Sequence, residues 1–183
     1  MKTLCDHLTQ YAAFHQDRRN LATHFVGIPL IVLAVATLLA RPVWSVSLVG
    51  PVSVSMALLL AIFTCLFYLR LDLRFGVVLT GIMSLAVAIG QALASQSTAV
   101  WLSSGLALFF VGWATQLLGH YYEGKKPAFV DDVIGLLVGP LFLAAEVAFY
   151  LKWRTEVEVE INRRLCHAAM RHGKSDDRAF TLG

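Results

Sequence analysis

Residues 75–119 read FGVVLTGIMSLAVAIGQALASQSTAVWLSSGLALFFVGWATQLLG, and none of them is charged. The run divides into two apolar stretches, 75–94 and 100–119, on either side of a polar loop at 95–98. A bilayer core about 30 Å thick is crossed by about 20 apolar residues in a helix, so either stretch is long enough to span it. Because uninterrupted apolar runs differ from the alternating pattern of a membrane barrel, the segment predicts two transmembrane helices.

The whole chain has the same character. Of its 183 residues, 57% are hydrophobic and 15% are charged, whereas about 25% are charged in an ordinary soluble domain. Long stretches with almost no charge occur at residues 25–40, 46–69, 75–94, 100–119 and 128–151. The sequence therefore predicts an all-α integral membrane protein, a compact bundle of four to five transmembrane helices. We expect residues 1–172 to form a single membrane-embedded domain and residues 173–183 to form a flexible C-terminal tail.

The first and last apolar stretches carry weaker signals. Residues 25–40 are few for a full span, and residues 128–151 contain Gly139, Pro140 and Glu146. Proline inside a helix favours a kink, and a membrane-embedded glutamate is costly unless it is paired or faces a cavity. We therefore expect the last stretch to be a broken span or to lie partly at the membrane surface.

Short polar helices are predicted at both ends of the bundle. Residues 4–14 favour an interfacial helix that carries His15 at its end, followed by a break that ends at Asn20, the predicted N-cap of the first span. In the C-terminal segment, Glu160 and Arg164 form an i,i+4 pair. Its apolar positions recur at helical spacing, at Val157, Ile161, Leu165 and Ala168. This segment predicts an amphipathic tail helix that lies on the membrane surface or against the loops.

Basic residues indicate the orientation of the bundle. With a cytoplasmic N-terminus, the cytoplasmic segments hold Lys2, Arg18, Arg19, Arg70, Arg74, Lys125 and Lys126. The opposite side then holds only Arg41, as the positive-inside rule requires. Four full spans and a broken fifth segment also keep the basic C-terminal tail cytoplasmic. The charged first 24 residues show no signal peptide, and we expect a bacterial inner membrane, or the endoplasmic reticulum in a eukaryote.

Three histidines that are distant in sequence are expected at the cytoplasmic surface. His15 and His24 flank the start of the first span, and His120 lies at the end of the fourth. Neutral imidazole is a common ligand of iron, copper, zinc and nickel. Carboxylates follow at Glu123, Asp131 and Asp132. The pattern admits one mononuclear metal site, although interfacial histidines also cap helices or bind lipid headgroups.

Other polar residues at this surface have two interpretations. The cations are Arg18, Arg19, Lys125 and Lys126. They could bind a substrate carboxylate, or they could simply set the topology and attract anionic lipid. Gln116, inside the fourth span, could orient a ligating histidine or join two helices by a hydrogen bond.

Two motifs resemble one known family. The first comprises His15 and His24, nine residues apart, with Asn20 between them and Ile28-Pro29 after them. The second comprises Gln116, Gly119, His120, the Lys125-Lys126-Pro127-Ala128 turn, Pro140 and Glu146. The chain resembles the fungal endoplasmic-reticulum 2-hydroxy fatty acid dioxygenase family, which has many bacterial members. The resemblance covers about residues 11–146, and Arg18 stands where relatives often have proline.

The resemblance implies an Fe(II)-dependent reaction in which O2 cleaves a 2-hydroxy fatty acid between C1 and C2, a step of fatty acid α-oxidation. The products are CO2 and a fatty acid one carbon shorter. The motif histidines His15, His24 and His120 become the implied iron ligands and catalytic residues. The implied partners are the hydroxy acid, O2 and membrane lipid, with no nucleic acid. The substrate-binding residues, less specifically implied, are Arg18, Arg19, Glu123, Lys125 and Lys126.

Other function classes fit the residues less well. A di-iron membrane desaturase typically needs about eight clustered histidines, and this chain has six that are scattered. A transporter would place polar residues at mid-membrane depth in several spans, and here the second and third spans offer little beyond Ser, Thr and Gln. A non-catalytic lipid-binding or scaffold protein stays open, and it would not need the three histidines.

Overall fold

The computed structural model describes residues 2–47, 51–124 and 134–180. The described chain forms seven helices, α1 Leu4–Ala12, α2 Arg18–Leu38, α3 Met56–Leu71, α4 Leu73–Ala94, α5 Thr98–Glu123, α6 Ile134–Tyr150 and α7 Thr155–Phe180. One antiparallel hairpin, β1 Val43–Ser47 with β2 Pro51–Ser55, joins α2 to α3. The predicted all-α class is confirmed, with this hairpin as an addition.

Three of the described helices, α2, α4 and α5, are long and apolar enough to cross a membrane. The pair formed by α6 and the first part of α7 would make a fourth if it counts as one span, although its two helices are bent by 112°. The break lies at residues 151–154, where Lys152 and Arg154 adopt positive φ angles of 59° and 63°. Pro140, where we expected a kink, lies inside α6. The last apolar stretch is therefore interrupted at its end.

The second apolar stretch differs from its prediction as one span over residues 46–69. Its helix begins only at Met56 and has 16 residues, about 24 Å, which is less than the about 30 Å of a bilayer core. The preceding residues alternate valine and serine around Gly50-Pro51, a pattern that favours paired strands. Ser55 then ends the hairpin and caps α3, because its hydroxyl accepts a hydrogen bond from the Leu58 N–H at 3.3 Å.

The first span starts three residues earlier than predicted. Asp17, not Asn20, is the N-cap of α2, and its carboxylate accepts a hydrogen bond from the Arg19 N–H at 2.7 Å. Hydrogen bonds from Arg19 lower the pKa of the Asp17 carboxyl, so it is an anion at the positive end of the helix. Asn20 lies inside α2 and is completely buried, which leaves its side chain for the neighbouring site.

Helices α2 and α5 pack closely because glycines line their interface. A Cβ on Gly27 would lie 2.9 Å from the Gly112 carbonyl oxygen, and a Cβ on Gly112 would lie 2.8 Å from Ile31 Cγ1. Larger residues would push the helices apart, as is general for small residues at helix contacts. The contact places His24 of α2 opposite His120 of α5.

The two polar helices pack together. Val157 and Ile161 of α7 join Leu4 and Leu8 of α1 in the buried core, and Arg164 forms an ion pair with Asp6 at 2.6 Å. The predicted tail helix is confirmed, and it lies against α1. Its backbone stays helical to Phe180, and the flexibility of residues 173–183 stays a prediction.

Candidate metal centre

The structure brings together the three histidines that the sequence singled out. His15 follows α1, His24 lies nearly two turns into α2 and His120 lies in the last turn of α5. Each offers one possible ligand atom, and these atoms all lie within 4.8 Å of one another. All three side chains are buried, with exposed fractions of 6%, 1% and 7%. Histidines that only contact solvent at the membrane surface would not be buried together in this way.

Backbone carbonyls orient two of the rings. His15 Nδ1 lies 2.7 Å from the Tyr11 carbonyl oxygen, and His24 Nδ1 lies 2.9 Å from the Asn20 carbonyl oxygen. A carbonyl oxygen only accepts hydrogen bonds, so both Nδ1 atoms carry a proton. In the neutral rings, each Nε2 atom is then a lone-pair donor, the usual state of a metal-bound histidine whose other nitrogen is held by a carbonyl.

The two Nε2 atoms of His15 and His24 face each other at 3.0 Å. Two lone pairs at this distance repel, so the neutral pair requires a cation, either a shared proton or a metal ion. Metal–imidazole bonds of about 2.1 Å that meet at a right angle place their nitrogens about 3.0 Å apart. The spacing therefore suits two adjacent positions of an octahedral ion.

His120 completes the donor set. Its ring centre lies 5.2 Å from that of His15 and 5.0 Å from that of His24. Among the described residues its buried Nδ1 atom has no hydrogen-bond partner, which is rare for a buried nitrogen. Three converging imidazoles, one with an unsatisfied nitrogen, fit a nitrogen-binding divalent transition metal.

Glu123 anchors the segment between His15 and His24. Its carboxylate accepts hydrogen bonds from the backbone N–H groups of Gln16 and Asp17, at 3.1 and 2.8 Å, and from Asn20 Nδ2 at 3.2 Å. The last turn of α5 is thereby tied to the start of α2. Substrate binding by Glu123 stays a prediction, and these contacts also allow it to hold the segment between the two histidines in position.

The cations considered as substrate-binding residues lie apart from the histidine cluster or outside the described residues. Arg18 and Arg19 are exposed, and Arg19 pairs with Asp17 and stacks over the Tyr122 ring at 4.9 Å. Neither arginine lines the cavity described below. Lys125 and Lys126 lie outside the described residues, and so do Asp131 and Asp132, the carboxylates considered for the metal site.

Sequence reasoning underestimated Tyr11, which we took for a membrane-surface anchor. Its ring stacks on His15 with centres 4.1 Å apart and planes 2° apart, and it also contacts Phe142 at 4.9 Å. Burial raises the pKa of the Tyr11 phenol, so the group is neutral and able to donate a hydrogen bond. Its position four residues before His15, on the same helical face, was the available signal.

A cavity of about 590 Å³ adjoins the histidines. His15, His24 and His120 form one part of its wall together with Tyr11 and Gln116. The rest is almost entirely apolar and lies between the five helices α2 to α6, extending to Ala36 and Ala57. Cavities of this size bind small organic molecules, and this one offers a polar end and a long apolar remainder.

Comparison with known proteins relates the chain to one family. The family model described as 2-hydroxy-palmitic acid dioxygenase Mpo1-like matches residues 1–151. The chain is 30% identical, over 164 residues, to 2-hydroxy-palmitic acid dioxygenase MPO1 of Saccharomyces cerevisiae, which covers 84% of this chain and 88% of the yeast protein. No solved structure matches. The resemblance noted in the sequence is confirmed, and the chain belongs to the Mpo1-like family.

Proposed function

We propose that the protein is an Fe(II)-dependent dioxygenase that shortens 2-hydroxy fatty acids by one carbon. The observation that carries the proposal is the pair of Nε2 atoms of His15 and His24, 3.0 Å apart at the polar end of an apolar cavity. The name of the yeast relative specifies a 2-hydroxy fatty acid and a dioxygenase reaction. A metal next to an apolar cavity is the arrangement that such a substrate requires.

The proposed reaction balances without a further reductant. The C1–C2 bond breaks, C1 leaves as CO2, and C2 is oxidised from an alcohol to a carboxylic acid. Together the two carbons lose four electrons, which O2 accepts, and one molecule of water is formed. The products are therefore a fatty acid one carbon shorter, CO2 and water. The family relationship supports the oxidation, and iron dependence and CO2 release belong to our proposal.

The protein's own residues have definable tasks. His15, His24 and His120 would hold iron, which supplies the redox-active centre for O2 chemistry. The Tyr11 and Asn20 carbonyls keep both Nδ1 atoms protonated and so keep the Nε2 lone pairs available. Gln116 is 5% exposed, and within the described chain its Nε2 atom has no hydrogen-bond partner. This amide, which lines the cavity, would donate to the substrate head group.

We further propose that α2, α4 and α5 cross a membrane as parts of one membrane-embedded domain, with the histidines on the cytoplasmic side. Large apolar side chains on the outer surface support this, for example Phe63, Leu85 and Phe110, which are 63%, 62% and 64% exposed. Extensive exposed apolar surface is unusual for a protein in water. A substrate with a polar head and an apolar tail suits a site at this boundary.

Metal content of the detergent-purified protein tests the proposal. We expect about one iron per chain after anaerobic loading, because the cluster offers one mononuclear site. His15→Ala, His24→Ala and His120→Ala should each lose it, whereas His167→Ala, an exposed histidine of α7, should retain it. The loaded protein should convert 2-hydroxypalmitic acid and O2 into the acid one carbon shorter.

Three results would contradict the proposal. Metal content that is unchanged by all three cluster substitutions would show that the metal is not bound by these histidines. Iron bound at the cluster without oxidation of any 2-hydroxy acid would leave a metal site with another function. Lipid bound without metal would favour the non-catalytic lipid-binding or scaffold alternative.

A further inference from the structure

We propose that the cavity is an acyl channel with a closed end, and that its end at Ala36 and Ala57 limits the chain length of the acid. The inference rests on the proposed function, because the histidine cluster is taken to hold the head group. The channel is lined by apolar side chains from five helices, α2 to α6. A tail lying there would be removed from water and from bulk lipid alike.

Three helices independently give the same depth for the channel. Along α2 the lining runs from His24 to Ala36, twelve residues, or about 18 Å. Along α3 it runs from Tyr68 back to Ala57, and along α5 from His120 back to Phe109, each eleven residues, or about 16 Å. The agreement indicates a channel that runs roughly parallel to the helices from the histidines toward the hairpin.

The far end of the channel is closed by backbone contacts. A Cβ on Gly90 would lie 2.7 Å from the Ala36 carbonyl carbon, so α4 and α2 touch there without intervening side chains. The Ala57 N–H donates a hydrogen bond to the Leu39 carbonyl at 2.9 Å, which joins the start of α3 to the end of α2. Ala40, one residue further, is completely buried. No side-chain movement alone would deepen the channel at this point.

The depth converts into a number of carbons. A carbon–carbon bond of about 1.5 Å at a near-tetrahedral angle advances an extended chain by about 1.25 Å. A channel of about 18 Å therefore accepts about 14 carbons beyond the head group. The expected limit is a 2-hydroxy acid of about 16 carbons.

One wall of the channel offers a path for the tail to enter. Leu60 and Phe63 of α3 line the channel, yet they are 39% and 63% exposed. A side chain that is both lining and exposed lies at an opening, which here faces the surface that we assign to lipid. The closed end, and not this side opening, is taken to set the length limit.

Blocking substitutions at two depths test the channel. In nanodiscs, the thermal stabilisation by saturated fatty acids of 10 to about 20 carbons would be measured for the wild-type protein and for Ala36→Phe, Val32→Phe and Val26→Phe. Val32 lies one turn, about 6 Å, nearer the histidines than Ala36, so its substitution should shorten the limit by about five carbons more. Val26 is 54% exposed and does not line the channel, so Val26→Phe should keep the wild-type limit. Ala57→Leu, from the opposite wall, should act like Ala36→Phe.

The same variants assayed for oxidation of 2-hydroxy acids separate the two proposals. A graded shift in both binding and oxidation supports the channel. The same shift in binding without oxidation in any protein keeps the channel and removes the proposed reaction. A different outcome is that the oxidation assay gives the same chain-length limit for the wild-type protein and for Ala36→Phe, Val32→Phe and Ala57→Leu. This result would overturn the channel and keep the reaction. It would mean that the acyl tails leave through the opening at Leu60 and Phe63.

Discussion

At the scale of single residues, hydrogen bonds to the main chain decide what the histidines can do. His15 and His24 both donate through Nδ1 to carbonyls four residues earlier, so each reaches a carbonyl of the turn that precedes it. This leaves both Nε2 atoms on the inner side, 3.0 Å apart. Imidazoles fixed in this way need little reorganisation to bind a metal.

Glu123 controls the position of this pair from a distance. Glu123→Ala leaves the Gln16 and Asp17 N–H groups without this acceptor, and Asn20 Nδ2 keeps only its hydrogen bond to the Phe14 carbonyl oxygen. We expect the metal affinity to fall by about 10-fold, the lower end of the effect of losing groups that support ligands. Competition with a chelator measures the affinity.

Glu156→Ala is the matched control, because Glu156 is 65% exposed and pairs with Arg154. The metal affinity of Glu123→Gln should lie between the affinities of Glu123→Ala and Glu156→Ala, since the amide keeps one acceptor oxygen. An unchanged metal affinity in Glu123→Ala would show that the loop holds its shape without this carboxylate.

Gly119 limits how closely α2 and α5 approach beside the metal centre. A Cβ on Gly119 would overlap Thr23 Oγ1 and Asn20 Oδ1. Gly119→Ala should therefore destabilise the fold by about 1–3 kcal/mol, as overpacking does, and should separate His24 from His120. Thermal unfolding in detergent and metal content are the measurements.

Gly81→Ala provides the comparison, because nothing lies within 4 Å of the added Cβ. That substitution should leave the protein as stable, or more stable by about 0.5–1 kcal/mol, since alanine favours a helix interior over glycine. Equal stability of the two variants would mean that α2 can shift without cost.

At the scale of elements, an ion pair with α1 supplements the apolar contacts that hold the tail helix. Arg164 pairs with Asp6 of α1 and with Glu160 of its own helix, whereas Arg163 pairs with Glu160 alone among the described residues. Arg164→Ala should loosen α7 from α1, because it removes the ion pair with Asp6, and Arg163→Ala should not.

A nitroxide on the exposed Cys166, in a Cys5→Ser and Cys65→Ser background, reports the motion of α7. We expect the spectrum of Arg164→Ala to show greater mobility than that of Arg163→Ala. Equal mobility in both variants would assign the docking of α7 to the apolar contacts of Val157 and Ile161.

The bend after α6 is also a property of packing between elements. Arg154 adopts a positive φ angle of 63° and forms an ion pair with Asp72 at 2.8 Å. Asp72 in turn caps α4, because its carboxylate accepts hydrogen bonds from the N–H groups of Arg74 and Phe75. The break therefore lies where the turn between α3 and α4 can hold it, and not at Pro140.

At the scale of the whole molecule, the order of the helices assigns segments to the two sides of a membrane. The histidines lie near the start of α2 and the end of α5, and the loop between α4 and α5 lies at the other end of the bundle. In vesicles of known orientation, an impermeant maleimide should reach Cys166 from the cytoplasmic side. It should reach a cysteine at Gln96→Cys from the opposite side.

Labelling of both cysteines from one side would contradict the proposed crossing of α4 and α5. If Cys166 were labelled from the opposite side and the cysteine at position 96 from the cytoplasmic side, both spans would be supported. The orientation inferred from the basic residues would then be reversed. A single-cysteine background removes the signals of Cys5 and Cys65.

The sequence by itself determined the helical class, the apolar character and the three histidines. In an apolar solvent, backbone hydrogen bonds of a long uncharged segment are satisfied within a helix, so the runs predict helices. Two motifs identify His15, His24 and His120. The alternation of valine and serine also indicated the hairpin. The high apolar content of residues 46–69 favoured a single span instead, so the prediction missed it.

Only the tertiary structure decided the distances and the partners. The contacts of Glu123 with the start of α2, the approach of His120 to His15 and His24, and the closed end of the cavity all depend on segments distant in sequence. Periodicity reports which face of a helix is apolar, but it does not report which neighbour that face meets. The close approach of α2 and α5 at their glycines is what turns three scattered histidines into one candidate centre.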